Sequence, residues 1–110
     1  MLKGLGNLGN MGNMLKQAMQ LKERVEELKE QLGHERVEAT VGGGMVTVEM
    51  TGKQEVVRVK IAPEAIDPDD PEVLETLVQA AVNEATRKTQ EMVKARMQEI
   101  TGGLDLPGVT

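Results

Sequence analysis

Two groups of cations are the residues of this chain whose types and spacing could do chemistry. Lys3, Lys16 and Lys22 stand in residues 1–22 with no acid among them. Arg87, Lys88, Lys94 and Arg96 stand in residues 87–96 against Glu91 alone. Cations grouped without counter-charge can neutralise a polyanion and draw it in over long range. The acids are segregated too: residues 64–84 hold Glu64, Asp67, Asp69, Asp70, Glu72, Glu75 and Glu84 and no base. A formal net charge of −5 is the reverse of the basic balance usual in nucleic-acid-binding domains. The reading therefore rests on distribution and not on the sum. A solvated helix offers a second account of the later group, because Arg87, Glu91 and Lys94 fall on one helical face as intrahelical pairs while Arg96 points away from them.

Other chemistries lack their residues. The chain has no serine and no cysteine, and His34 is its one histidine, so no nucleophile–base pair can be assembled. Beside Gly33 at a helix end, His34 reads as a capping or loop residue. Gly42-Gly43-Gly44 joins two strands, and no Lys-Ser/Thr follows it, which excludes a phosphate loop. Asp67, Asp69, Asp70 and Glu72 lack the spacing and central glycine of a calcium loop and read as helix-capping and solvated residues. Without Phe, Tyr or Trp there is no stacking platform for single strands. Neither an enzyme nor a metal, cofactor or small-molecule substrate is expected. The absence of cysteine suits a reducing cytosol. No apolar run approaches the ~20 residues of a membrane span, and residues 1–16 lack the continuous apolar core of a signal peptide. The expectation is a soluble, intracellular protein without a membrane partner.

The elements that must position the cations are helix, sheet and helix. Between Arg36 and Ile61 apolar residues alternate: Val37, Ala39, Val41; Val46, Val48, Met50; Val57, Val59, Ile61. Period two means one buried and one wet face, and Glu38, Thr40, Thr47, Glu49, Arg58 and Lys60 fill the wet one. Glycines at 42–44 and Thr51-Gly52 suggest tight hairpin turns with positive φ. The prediction is a three-stranded antiparallel meander.

Upstream, Met14, Ala18, Leu21, Val25, Leu28 and Leu32 alternate by four and three, and Met11 extends the seam. Such a helix can lie on its own sheet, or pair with the other long helix or with a second chain. Gly33 is read as its stop. Gly4, Gly6, Gly9 and Gly12 discourage helix before it, so residues 1–10 are expected to be a mobile tail. Downstream, Asp70 as N-cap, Pro71 at N1 and Glu72 at N2 begin a helix that runs to Ile100 and stops at Gly102-Gly103. At ~1.5 Å per residue that helix is roughly 45 Å long, too long for a six-residue strand, so its later half must project. Residues 104–110 are expected to form a second mobile tail, leaving one domain over 11–103.

A three-stranded sheet with one apolar face cannot stand alone, and its outer strands leave open edges. A core without aromatic side chains in a chain this small is thin. A second copy is the usual remedy. If both helices project from the same side of the sheet, the start of the first lies beside the end of the second. Lys16 and Lys22 would then gather with Lys88, Lys94 and Arg96 far from the sheet.

The whole layout resembles the YbaB/EbfC family of bacterial nucleoid-associated proteins. The resemblance rests on NMLKQAMQLKERVEELKEQL, VGGGMVTVEMTGKQEVVRVKIAPE, LVQAAVNEATRKTQE and the tail GLDLPG, in that order and spacing. It implies an α+β homodimer with a central β core and projecting helical arms in a tweezer-like shape. It also implies duplex DNA binding with little sequence preference, a cytoplasmic, nucleoid-associated location, and a part in organising or protecting the chromosome, with possible effects on transcription or repair. Carried onto this sequence, the DNA-binding residues are Lys16, Lys22, Arg87, Lys88, Lys94 and Arg96. The alternative function is a protein-interaction scaffold that docks a partner through the heptad helix and the acidic linker.

Overall fold

The computed structural model describes the backbone of residues 2–102 and the side chains of residues 11–102. The elements are α1 (Leu2–Leu32), β1 (Arg36–Val41), β2 (Val46–Thr51), β3 (Val56–Ile61), a short 3-10 turn (Pro63–Ala65) and α2 (Pro71–Thr101). The strands form one antiparallel sheet in the order β1-β2-β3. The α+β class and the meander are those the alternation predicted.

The first hairpin turns on Gly42, Gly43 and Gly44, all with positive φ (65°, 66° and 97°). The second turn differs from expectation. There the left-handed residue is Gln54 (φ 63°) and not Gly52. Gly52 is needed for a different reason: its N–H donates to the Leu32 carbonyl at 2.8 Å, and a Cβ added to it would lie 2.6 Å from that same oxygen. The glycine thus ties the end of α1 to the β2–β3 turn. A register shift at Glu49/Met50 pairs Met50 with Val56, so Val57 is a bulge residue outside the apolar row.

α2 lies across β1 and β2 on the apolar face. Ala81 and Ala85 are fully buried there against Ala39, Val46, Val48 and Met50. Alanine at consecutive turns lets the helix backbone approach the sheet closely. Leu74, Leu77, Val78 and Val82 close the flanks. Thr89 is also fully buried, and its hydroxyl donates to the Ala85 carbonyl at 2.8 Å, which satisfies the polar group inside the core. Asp70 occupies the N-cap without a side-chain cap bond; Asp67 instead accepts from the Asp69 N–H at 2.9 Å. At the other end Gly102 is a left-handed cap whose N–H donates to the Gln98 carbonyl.

α1 begins at Leu2, earlier than its glycines suggested. A helical glycine costs only about 1 kcal/mol relative to alanine and keeps its N–H, so it does not break the hydrogen-bond ladder as proline would. The seam is covered only toward the sheet. Leu28 and Leu32 are buried, Leu21 and Val25 half-buried, and Met11, Met14 and Ala18 exposed. Residues 104–110, expected as a tail, lie outside the described residues. The principal extents are 82 × 21 × 16 Å, an elongated particle.

Candidate nucleic-acid interface

The contacts fix the direction of each helix. Leu77 of α2 stands against Gly42 in the β1–β2 turn, Lys88 reaches Glu38 in β1, and Arg96 reaches Glu35 just before β1. α2 therefore runs antiparallel to β1 and leaves the sheet where α1 arrives. Arg24, Leu28, Arg96 and Ile100 line one shallow groove between the helices, so the end of α2 lies beside the last third of α1. The arms do share one side of the sheet, but the start of α1 extends beyond α2 instead of meeting its end. At ~1.5 Å per residue, Lys16 lies about 12 Å further out along α1 than Arg24.

The six predicted cations consequently form a line along the particle. Lys16 and Lys22 are exposed on the α1 arm. Lys94 is exposed on α2 between Lys88, which reaches β1, and Arg96, which reaches Glu35 at the edge of the sheet. Among the described residues these three make no ion pair. Lys88 lies over the sheet and donates to the Glu38 carbonyl at 3.2 Å, so it does not join the outer group. Arg96 donates to the Glu35 carboxylate at 2.8 Å. Arg87 is held by Glu84 on one side and by Glu91, at 2.8 Å, on the other. The hydrogen bond from Arg87 holds the Glu84 carboxyl below its usual range. The same bond and the two carboxylate charges keep Arg87 more firmly protonated than usual. Arg87 thus forms intrahelical pairs, but with Glu84 and Glu91 and without Lys94.

Sequence reasoning missed Arg24. It sits between Glu23 and Glu26, which hides it in a mixed-charge run, yet it faces the same groove as Arg96. The open face of the sheet is mixed in sign. Arg36 approaches Glu49 at 3.7 Å, Thr40 and Thr47 share a hydrogen bond at 3.0 Å, and Glu38 and Glu49 flank Arg58 and Lys60. Such a face has no consistent attraction for a polyanion. Among the described residues no group of three or more His, Asp or Glu is placed to hold a metal ion, and no helix is long and apolar enough to cross a membrane.

β3 is the least protected element. All six of its residues are exposed, including Val56, Val59 and Ile61 at 36–45 % on the apolar face. Its outer edge has no strand neighbour. Ile66 and Val73 add exposed apolar surface.

Residues 7–104 match the family model described as the YbaB/EbfC DNA-binding family. A nucleoid-associated protein of Thermoanaerobacter sp. strain X514 is 49 % identical over 94 residues, spanning 86 % of this chain and 85 % of that protein. One from Alkaliphilus metalliredigens is 44 % identical over 106 residues, spanning 96 % and 93 %. The crystal structure of an uncharacterized protein from Helicobacter pylori superposes with a TM-score of 0.69 at 24 % identity, covering 84 % of this chain and 94 % of that one. This last match concerns the fold alone.

Proposed function

The chain belongs to the YbaB/EbfC DNA-binding family, and on that premise we propose that it is a nucleoid-associated protein that grips duplex DNA by its phosphates as a homodimer. The observation that carries this reading is the position of Lys16, Lys22 and Lys94. Lys16 and Lys22 lie on the part of α1 that extends beyond α2, and Lys94 lies where α2 leaves the sheet, all without ion pairs among the described residues. Phosphate contacts of this kind fix position and carry little sequence information. DNA is held between arms in the cytoplasm, and binding serves to organise or protect the chromosome. The work is binding, and no catalytic step is involved.

The second copy docks along β3. Its unpaired edge and its row of Val56, Val59 and Ile61 are the features an aqueous sheet covers. Pairing there gives a symmetric dimer with two α1 arms. Titration of a fluorescent duplex at several salt concentrations tests the function. The expected result is retardation and raised anisotropy at low salt, lost steeply as salt rises and nearly independent of sequence. No binding at low salt would overturn it.

A further inference from the structure

The α1 arm carries a surface that phosphate binding does not use. Met11, Met14, Leu15 and Met19 are 60–68 % exposed. Met11 and Met14 continue the seam that α2 covers at Leu28, Leu15 and Met19 widen it on one flank, and the cover stops because α2 ends at Thr101. Four large apolar side chains at helical spacing, clustered on one stretch of arm, are too concentrated to be scattered surface residues.

We propose that this stripe is the docking site of the chain's own segment Gly103–Thr110. The segment starts where the stripe loses its cover, since Ile100 and Arg24 line the same groove. From Arg24 out to Met11 is about 20 Å of helix at ~1.5 Å per residue. The eight residues GLDLPGVT reach roughly 26 Å when extended at ~3.3 Å each, enough to run the whole stripe. Leu104, Leu106 and Val109 supply the apolar contacts. Asp105, the one charged side chain of the segment, meets an arm that holds Lys16 and Lys22 and no acid through residue 22. A second arm is a poorer occupant. Two stripes brought face to face in parallel would set Lys16 against Lys16, with Glu23 the nearest acid along the chain.

The inference stands apart from DNA binding and is tested without it. The chain has no cysteine, so Thr110→Cys accepts a single nitroxide label on the whole 110-residue chain. Methyl resonances of Met14 and Met19 are expected to lose most of their intensity, while Met45 and Met50, in the sheet, keep theirs. L104D/L106D in the same labelled protein is expected to restore the arm signals. Full intensity at Met14 and Met19 in the labelled parent overturns the proposal. So does broadening that appears only when isotope-labelled copies are mixed with nitroxide-labelled ones, because the segment would then occupy the arm of a partner copy.

Discussion

K16A/K22A is the sharpest perturbation of the proposed interface, because both lysines sit on the exposed arm and lack an ion-paired acid among the described residues. With Lys94 they are the three of the six predicted cations that make neither an ion pair nor a backbone contact among the described residues, six per dimer. If each neutralises one phosphate, the log–log slope of affinity against salt is about −5, at ~0.9 per contact. Removing Lys16 and Lys22 from both copies leaves two contacts and a slope of about −2. Between about 50 and 200 mM salt the parent should lose roughly a thousandfold in affinity and the variant about tenfold. Anisotropy of one labelled duplex at four or more salt concentrations reads both slopes. Arg87→Ala is the internal control. Arg87 is already held by Glu84 and Glu91, so its loss should lower affinity at a given salt while leaving the slope nearly unchanged. A K16A/K22A slope equal to the parent's would show that the phosphates lie elsewhere, and the arm assignment would fall.

Three further outcomes follow from the packing. Val59→Lys places a charge in the exposed apolar row of β3, and sedimentation should show the dimer reduced to single copies; an unchanged dimer would move the interface away from β3. Gly52→Ala drives a Cβ against the Leu32 carbonyl, 2.6 Å away; urea unfolding should report a loss of about 1–3 kcal/mol, with faster hydrogen exchange at the end of α1. Glu35→Gln breaks the pair with Arg96, whose side chains are 33 % and 39 % exposed. Its stability cost should stay under about 1 kcal/mol, and DNA affinity at low salt should rise as Arg96 is released.

The sheet was legible because alternation is a strong signal: each strand falls within about one residue of its predicted bounds. The turns were less so. Glycine marks a place where the chain needs room, but the sequence does not say whether the need is positive φ, as at Gly42, or close approach, as at Gly52. Val57 joined the apolar row in the sequence and left it in the structure, because the bulge sets Val56 opposite Met50 and leaves Val57 unpaired, while Val59 and Ile61 keep the predicted face. The seam of α1 gave the correct face for Leu28 and Leu32. It could not reveal that cover ends near Arg24, since that depends on where α2 stops after crossing the sheet. The cation groups were visible as composition. The pairing of Arg87 with Glu91 on its own helix was legible from their spacing; the reach of Lys88 to β1 was not, because it depends on which face α2 turns to the sheet.

Distribution along the long axis explains how an acidic chain can still attract a polyanion. The acids of residues 64–75 sit at the start of α2, beside the β1–β2 turn, and the arms leave from the opposite end of the sheet. From Asp70 to Arg96 the helix alone spans about 39 Å at ~1.5 Å per residue, and Lys22 and Lys16 lie further still. The screening length at physiological ionic strength is about 8 Å. Several screening lengths therefore separate the acidic pole from the arm lysines, and its field there is almost extinguished. A phosphate approaching the outer arm at Lys16 meets local cations and not the net charge of −5, whereas nearer the sheet Glu23 and Glu26 temper the field of Lys22 and Arg24. The same acids repel the duplex from the far pole, so the charge that argues against binding when summed acts to orient the protein when resolved along its length.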